Sequence, residues 1–408
     1  MTIGLVLPAV PGYSETFFRS KIEGLVQAGH KVLLFAGGED KGFDLCKVVP
    51  HPNVYRLAPL QAAALVYQII RLLVMKPLPA SRFYQLERQA GRSMKAALEN
   101  LYLNSHILRC KLDWLHFGFA TTSLRRENAA RAIQARMAVS LRGYDIALYP
   151  LKHPGCYQLL WQRVDKVHTI SDDLLTLAYR EGLPVTTPVQ KITPAIDTRQ
   201  FQRKQPLSNR LDPPLQILTV ARLHWKKGLE YTLEALALLK KAGIDFRYTL
   251  IGTGEENERL VFAAHQLGIR EQVHFAGKLP HVAVKAAMES SDIYLQYSIS
   301  EGFCNAVLEA QAMGLLCIVS DAEGLPENVL HGQTGWVVPK RQPKLLCQQL
   351  LTVIHHPHSA LIMIRQNAME RIQRNFNLEK PAIYQSHLVL SPVPKEQFRL
   401  FPGFRPTG

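Results

Sequence analysis

Short apolar runs alternate with helical stretches along almost the whole chain, and this alternation limits the fold more than any other feature. Runs of four to six residues rich in Val, Ile, Leu and aromatics lie at 2–7, 31–36, 114–117, 137–141, 166–170, 216–220, 248–251, 273–276, 293–297 and 317–320. Stretches of helical period, such as 18–28, 229–241 and 283–290, separate most of them. Strands that alternate with helices form parallel sheets covered on both faces by helices. Strands that are apolar throughout agree, because parallel strands are buried on both sides.

A length of 408 residues suits two such units. A polar stretch without periodicity runs from Asp197 to Pro206, and Asp212-Pro213-Pro214 then precedes a fresh strand. The expected architecture is α/β, with two doubly wound, Rossmann-like domains whose parallel sheets face across a cleft. The first domain is read as 1–195, the linker as 196–214 and the second domain as 215–375. The remainder, 376–408, is read as a helix and tail, its proline-punctuated end disordered. Within the first domain, 51–111 reads as a basic, mostly helical insertion.

Lys and Arg number 48 against 33 acids, a formal charge of +15. Residues 1–200 carry 25 basic and 15 acidic side chains, and 51–111 holds nine Lys/Arg with only Glu87 and Glu99 as acids. Such a field attracts polyanions: nucleic acid, anionic lipid or phosphorylated small molecules. No nucleic-acid reader motif accompanies it, so nucleic acid is not an expected partner. The N-terminus lacks the basic flank and apolar length of a signal peptide. The most apolar later window, 60–75, is interrupted by Gln61, Gln68 and Arg71 and falls short of a span. The six cysteines, at 46, 110, 156, 304, 317 and 347, form no C-x-x-C pair. A cytoplasmic protein with reduced thiols is expected, peripheral on the inner face of the plasma membrane.

The strongest chemical constellation is Ser300-Glu301-Gly302-Phe303-Cys304-Asn305, running on to Glu309. It follows a strand, and a helix starts near Asn305. Such a helix N-terminus is an anion site. A carboxylate at Glu309 can accept both hydroxyls of a ribose, and Glu301 can reach a second polyol. Two solvated glutamates flanking an ordinary turn is the alternative. A second strand-to-helix turn, Ala221-Arg222-Leu223-His224-Trp225-Lys226-Lys227-Gly228, offers Arg222 and Lys227 as a diphosphate clamp or as a solvated basic loop. Gly252-Thr253-Gly254 is a weak third candidate. Pro11-Gly12-Tyr13-Ser14-Glu15-Thr16 does not match G-x-G-x-x-G, and Ser14 or Thr16 can serve as a helix cap. His116 closes an apolar strand, where open α/β sheets bind ligands, although a lone histidine at a strand end is more often structural.

Taken in order, these blocks resemble the retaining family 4 glycosyltransferases of GT-B fold, close to those of colanic-acid-type exopolysaccharide assembly. The resemblance covers about 2–376. It rests on Ser14-Glu15-Thr16-Phe17, His116-Phe117-Gly118, Leu141 to Ile146, Thr169-Ile170-Ser171, Ile196-Asp197 with Phe201, and Ala221-Arg222-Leu223 with Lys227-Gly228. It continues through Gly252-Thr253-Gly254-Glu255, Glu301 to Glu309 and Gly324-Leu325-Pro326-Glu327. The resemblance implies sugar transfer from a UDP- or GDP-sugar to a glycan or lipid-linked acceptor, with no cofactor and no metal. Arg222 and Lys227 would neutralise the diphosphate, and Glu309 would hold the ribose. Glu301, with the amides near Gly302 and Phe303, would bind the transferred sugar. Gly12, Gly252, Gly254 and Asn305 would complete the donor site. On the acceptor side it implies Ser14, Glu15, Thr16, Arg142 and Asp145, with His116 touching the sugar at the reacting face. An anionic membrane surface carrying the acceptor accounts for the basic insertion. The absence of a D-x-D triplet at a strand end fits metal independence.

Two positions depart from the pattern. Arg142 stands where similar proteins have His, and Ala195 where they have Gly; Arg142 adds a permanent charge that implies either an altered specificity or a reduced activity. Three rival readings compete. A glycosidase with Glu301 and Glu309 as its acid–base pair would hold them ~5–9.5 Å apart. Eight helical residues instead span ~12 Å. A sugar-nucleotide epimerase would share the architecture and use no acceptor. A non-catalytic polyanion binder would use the charge alone.

Overall fold

The computed structural model describes residues 1–11, 16–38, 42–203 and 211–378, with only the backbone of Thr16. Thirteen strands appear among them: β1 (Thr2–Ala9), β2 (Lys31–Gly37), β3 (Lys47–Pro50), β4 (Trp114–Phe117), β5 (Arg136–Leu141), β6 (Lys166–Thr169), β7 (Val189–Lys191), β8 (Leu215–Val220), β9 (Phe246–Ile251), β10 (Val273–Gly277), β11 (Ile293–Gln296), β12 (Leu316–Ser320) and β13 (Trp336–Val338). They form a seven-stranded sheet, ordered β3-β2-β1-β4-β5-β6-β7, and a six-stranded sheet, ordered β10-β9-β8-β11-β12-β13. Every pairing within the two sheets is parallel.

Both sheets reverse direction at one point: between β1 and β4 in the first, and between β8 and β11 in the second. The loops that leave two such neighbours diverge to opposite faces and open a crevice at the carboxyl edge. The blocks around Ser14, Arg222 and Glu301 follow strands at these two places and His116 lies in β4, whereas Arg142 follows β5 and Gly252 follows β9.

Three strands carry too little pattern to stand out in the sequence. β3, β7 and β13 have only three or four residues, and β3 and β7 are edge strands. The basic insertion folds as three helices, Ala58–Met75, Pro77–Gln89 and Met94–Leu108. The first is an 18-residue helix, long and apolar enough by composition to cross a membrane, although the sequence window 60–75 read as too interrupted.

The connection between the sheets is more ordered than its polarity suggests. Ile196, Thr198 and Phe201 are buried. Ile196 pairs with Asn377, and the Thr198 hydroxyl donates to Gln373 Oε1 at 3.1 Å. The final described helix, His358–Asn375, thus returns to the start of the connection. Residues 204–210 of the expected linker, and the expected tail beyond Leu378, lie outside the described residues.

Candidate active site

The second-domain side is built from two loops that leave the adjacent strands β8 and β11. Lys226 carbonyl accepts the N–H groups of Ile299, at 2.6 Å, and Ser300, at 3.2 Å, so the loops are sewn together by backbone bonds. Gly228 has a left-handed backbone, and a Cβ there would lie 2.3 Å from the Tyr297 carbonyl oxygen. Only glycine allows this approach. The approach brings Lys227 onto Glu301, and the two form an ion pair in which each side chain is about 15% exposed. Burial alone would lower the Lys227 ammonium, but the charge of Glu301 outweighs it and the net direction is up. Ser298 also donates to Glu301 Oε2 at 3.3 Å, and Gln296 donates to Ser298 at 2.9 Å. The sequence assigned Lys227 to phosphate and Glu301 to sugar separately; in the structure the two are each other's partner.

Arg222, five residues upstream, is exposed. Its charge reaches both Lys226 and Lys227. The Gly252-Thr253-Gly254 turn is not an open cradle. A Cβ on Gly252 would meet the Ala221 carbonyl oxygen at 1.8 Å, and one on Gly254 the Leu223 carbonyl oxygen at 2.1 Å. Leu223 N–H donates to the Thr253 carbonyl at 3.0 Å. These glycines therefore support the Arg222 loop, and their effect on a ligand passes through that loop.

Asn305 opens the helix Asn305–Ala312, as the sequence indicated, and Glu309 lies one turn along it. Glu309 is half-buried, and among the described residues its carboxyl makes no ion pair or hydrogen bond. Burial pushes its carboxyl up to about 7. A half-buried carboxyl that the fold leaves without a donor is the feature a diol-bearing ligand would satisfy. Phe303 is buried, its ring packed 5.8 Å from Phe376.

The first-domain side differs from expectation at two residues. His116 does not reach the rim. It sits inside β4, paired with Leu5 of β1 and Ala138 of β5, and is 1% exposed. Its Nε2 lies 2.8 Å from Ser140 Oγ, and Lys21 Nζ lies 3.2 Å away, beneath the helix Thr16–Gln27. Strand alternation turns His116 to that covered face, which the apolar pattern around it could not reveal. Burial and then Lys21 push its ring well below its ordinary value, so it is held neutral. Asp145, expected to bind substrate, is also 1% exposed. It accepts the backbone N–H groups of Ala120, Arg142 and Gly143 at 2.9–3.0 Å. Its carboxylate holds the loop together.

Arg142 does lie at the cleft. Its carbonyl oxygen would be 2.9 Å from a Cβ on Gly302, so the two domains touch backbone to backbone there. Its guanidinium stacks 3.8 Å over the ring of Phe17 and 4.8 Å from that of Phe18. Gly12, Ser14 and Glu15 lie outside the described residues, as does the side chain of Thr16.

Three side chains escaped the sequence reading. Lys226 Nζ lies 4.8 Å over the Tyr144 ring, which bridges the cleft. Glu323 accepts the backbone N–H of Glu301. Asn328 brackets the start of the Asn305–Ala312 helix, accepting from Cys304 N–H and donating to its carbonyl, both at 3.0 Å. The doublet Lys226-Lys227 was the only available signal, and nothing in it separates the two roles.

Comparison with known proteins gives this arrangement its likenesses. Residues 200–371, which contain both donor-side loops, match the family of glycosyl transferases group 1. It is 28% identical over 411 residues to the protein assigned to colanic acid biosynthesis as glycosyltransferase WcaL in Escherichia coli K12, covering 92% of this chain and 96% of the relative. It is 27% identical over 321 residues to the amylovoran biosynthesis glycosyltransferase AmsK of Erwinia amylovora, covering 76% and 77%. Among solved structures, Anabaena Alr3699/HepE in complex with UDP-glucose superimposes with a TM-score of 0.67 at 17% identity, over 95% of this chain and 98% of that one. That likeness establishes the GT-B fold, and the sequence is similar over most of its length to glycosyltransferases of exopolysaccharide biosynthesis. These likenesses lend no support to the epimerase or binder readings.

Proposed function

We propose that this protein is a glycosyltransferase that moves a sugar, with retention, from a nucleotide-diphosphate sugar to a glycan or lipid-linked acceptor. Glu309 is the observation that carries this reading: a half-buried carboxyl, pushed up to about 7 and without a protein donor, on the helix that directly follows the loop of the Lys227–Glu301 pair. A ribose diol supplies the two donors Glu309 lacks. The diphosphate then lies against Arg222 and Lys227, which take the charge a divalent cation would otherwise neutralise. Glu301 is left to accept from the hydroxyls of the transferred sugar. In the reaction the bond from the anomeric carbon to the diphosphate oxygen breaks and a bond to the acceptor oxygen forms on the same face. The acceptor's proton passes to the departing phosphate oxygen. A nucleotide-sugar donor is supported by the structural neighbour Anabaena Alr3699/HepE, which was solved with UDP and with UDP-glucose.

The test is a thermal-shift panel of UDP, GDP, ADP, CMP and dTDP, followed by donor-hydrolysis assays with the best binder, with and without EDTA. A diphosphate that raises the melting temperature, and hydrolysis unaffected by EDTA, are expected. No shift with any nucleotide would reject the donor site.

A further inference from the structure

The helix Ala58–Met75 is apolar on both its inward and its outward side. Leu72 is buried and Ile69 packs against the core, and this inward side carries two polar residues, Gln61 and Gln68. Gln61 Oε1 accepts the Tyr55 N–H at 2.8 Å. On the opposite side Leu60, Val66, Tyr67, Ile70, Leu73 and Val74 are each at least 48% exposed. Their i, i+3, i+4 spacing makes one continuous apolar stripe. A stripe of that kind normally faces a core, and a contiguous exposed one marks an interaction surface.

The charges beside it identify the occupant. No Asp or Glu occurs between Asp44 and Glu87. Glu87 is buried and held by Arg92, Asn100 and Asn128, and Glu99 pairs with Arg125. At the C-terminal end of the helix the cations gather: Lys47, Lys76 and Arg109 act together on Cys110, and Arg71 acts on Arg109. An apolar stripe flanked by cations without acids complements an anionic lipid leaflet. It does not complement itself, because a two-fold dimer would set the same basic rim against its copy.

The helix is long enough to span, at ~27 Å for 18 residues, but its surroundings hold it flat. The Tyr102 hydroxyl donates to the Asn53 carbonyl just before it. The helix Pro77–Gln89 starts directly after Lys76, and the Met94–Leu108 helix packs along one side. We infer that the outward stripe of Ala58–Met75 inserts into the interfacial layer of an anionic membrane, with the helix axis in the membrane plane. Residues 51–57 join it to the carboxyl end of β3, the sheet edge that faces the cleft, so a lipid-linked acceptor would arrive beside that edge. The inference deepens the proposed transfer reaction and rests on it only for the acceptor.

The full-length protein is sedimented with vesicles of phosphatidylcholine alone or containing about one-third phosphatidylglycerol. Binding to the mixed vesicles that weakens with salt is expected. A Tyr67→Trp variant should shift its emission to shorter wavelength and be quenched more by lipids brominated near the headgroup than by deeply brominated ones. Val66→Gln/Ile70→Gln/Val74→Gln, all at exposed positions, should abolish binding. Arg71→Gln/Lys76→Gln should weaken it roughly 30-fold at low salt. Both variants should keep wild-type nucleotide binding, which separates this surface from the donor site. Loss of donor hydrolysis with vesicle binding intact would count against the transfer reaction alone. The inference is overturned by protein that stays in the supernatant at low salt, by a triple variant that still binds, or by deep quenching, which would mean a spanning helix. A dimer that the triple variant dissociates, without vesicle binding, would overturn it in favour of a second copy.

Discussion

The two walls of the cleft use the same kinds of side chain for opposite ends. On the first-domain wall the polar groups are spent internally: Asp145 on three backbone N–H groups, His116 on Ser140 and Lys21. On the second-domain wall charge is left over, with Glu309 unpartnered among the described residues and Arg222 in solvent. A buried polar group satisfied by the protein fixes shape, whereas one left unsatisfied is available to a ligand. Residue type alone does not separate the two.

The sharpest way to break this contrast is Asp145→Ala. It would orphan three backbone donors inside the protein and should cost about 3–4 kcal/mol of stability in urea denaturation. Nucleotide affinity of the folded fraction should not change. Reduced affinity in folded protein would mean that Asp145 belongs to the site after all.

Glu309→Gln should do the reverse. The Glu309 carboxyl sits near 7 in the folded chain against an ordinary 4.5. A raised carboxyl contributes stability while protonated. That contribution is complete below ~4.5 and is lost as the pH climbs through about 7. The variant should therefore melt like wild type at low pH and be more stable above pH 7, by at most about 3 kcal/mol. Its nucleotide binding should weaken, and wild-type nucleotide affinity should rise with pH through about 7. Equal melting at every pH would return Glu309 to the satisfied class.

Lys227→Ala should lower nucleotide-diphosphate affinity by about 1.5–3 kcal/mol, measured by calorimetry, with a smaller effect on the monophosphate. His116→Ala should cost about 1–2 kcal/mol of stability through a lost buried hydrogen bond and leave turnover per folded molecule nearly intact. A folded variant with turnover reduced a hundredfold would instead place His116 at the reacting centre. Arg222→Ala should show the smallest effect, about 1 kcal/mol in diphosphate affinity and none in stability, because an exposed guanidinium interacts through water. A larger loss would mean that Arg222 closes onto the donor.

Much of this was legible in the chain itself. The strand–helix alternation determined the parallel sheets, and strands such as Trp114–Phe117 stand where the apolar run placed them. Contiguous blocks such as Arg222 to Gly228 and Glu301 to Glu309 were readable because turn, glycine and helix start are neighbours in sequence. The tertiary structure alone decided which charges meet and which way side chains face. Lys227 and Glu301 lie 74 residues apart and pair only because β8 and β11 are adjacent at the switch point. Gln61 and Gln68 interrupt an apolar window in the sequence, yet in the fold they turn inward and leave an unbroken apolar stripe outside. β3 and β7 are edge strands of three or four residues, defined by their pairing with β2 and β6 and not by a pattern of their own. The physical reason is common to these cases. Desolvation and hydrogen bonding depend on what the completed fold packs against a group, and local sequence carries the group without its surroundings.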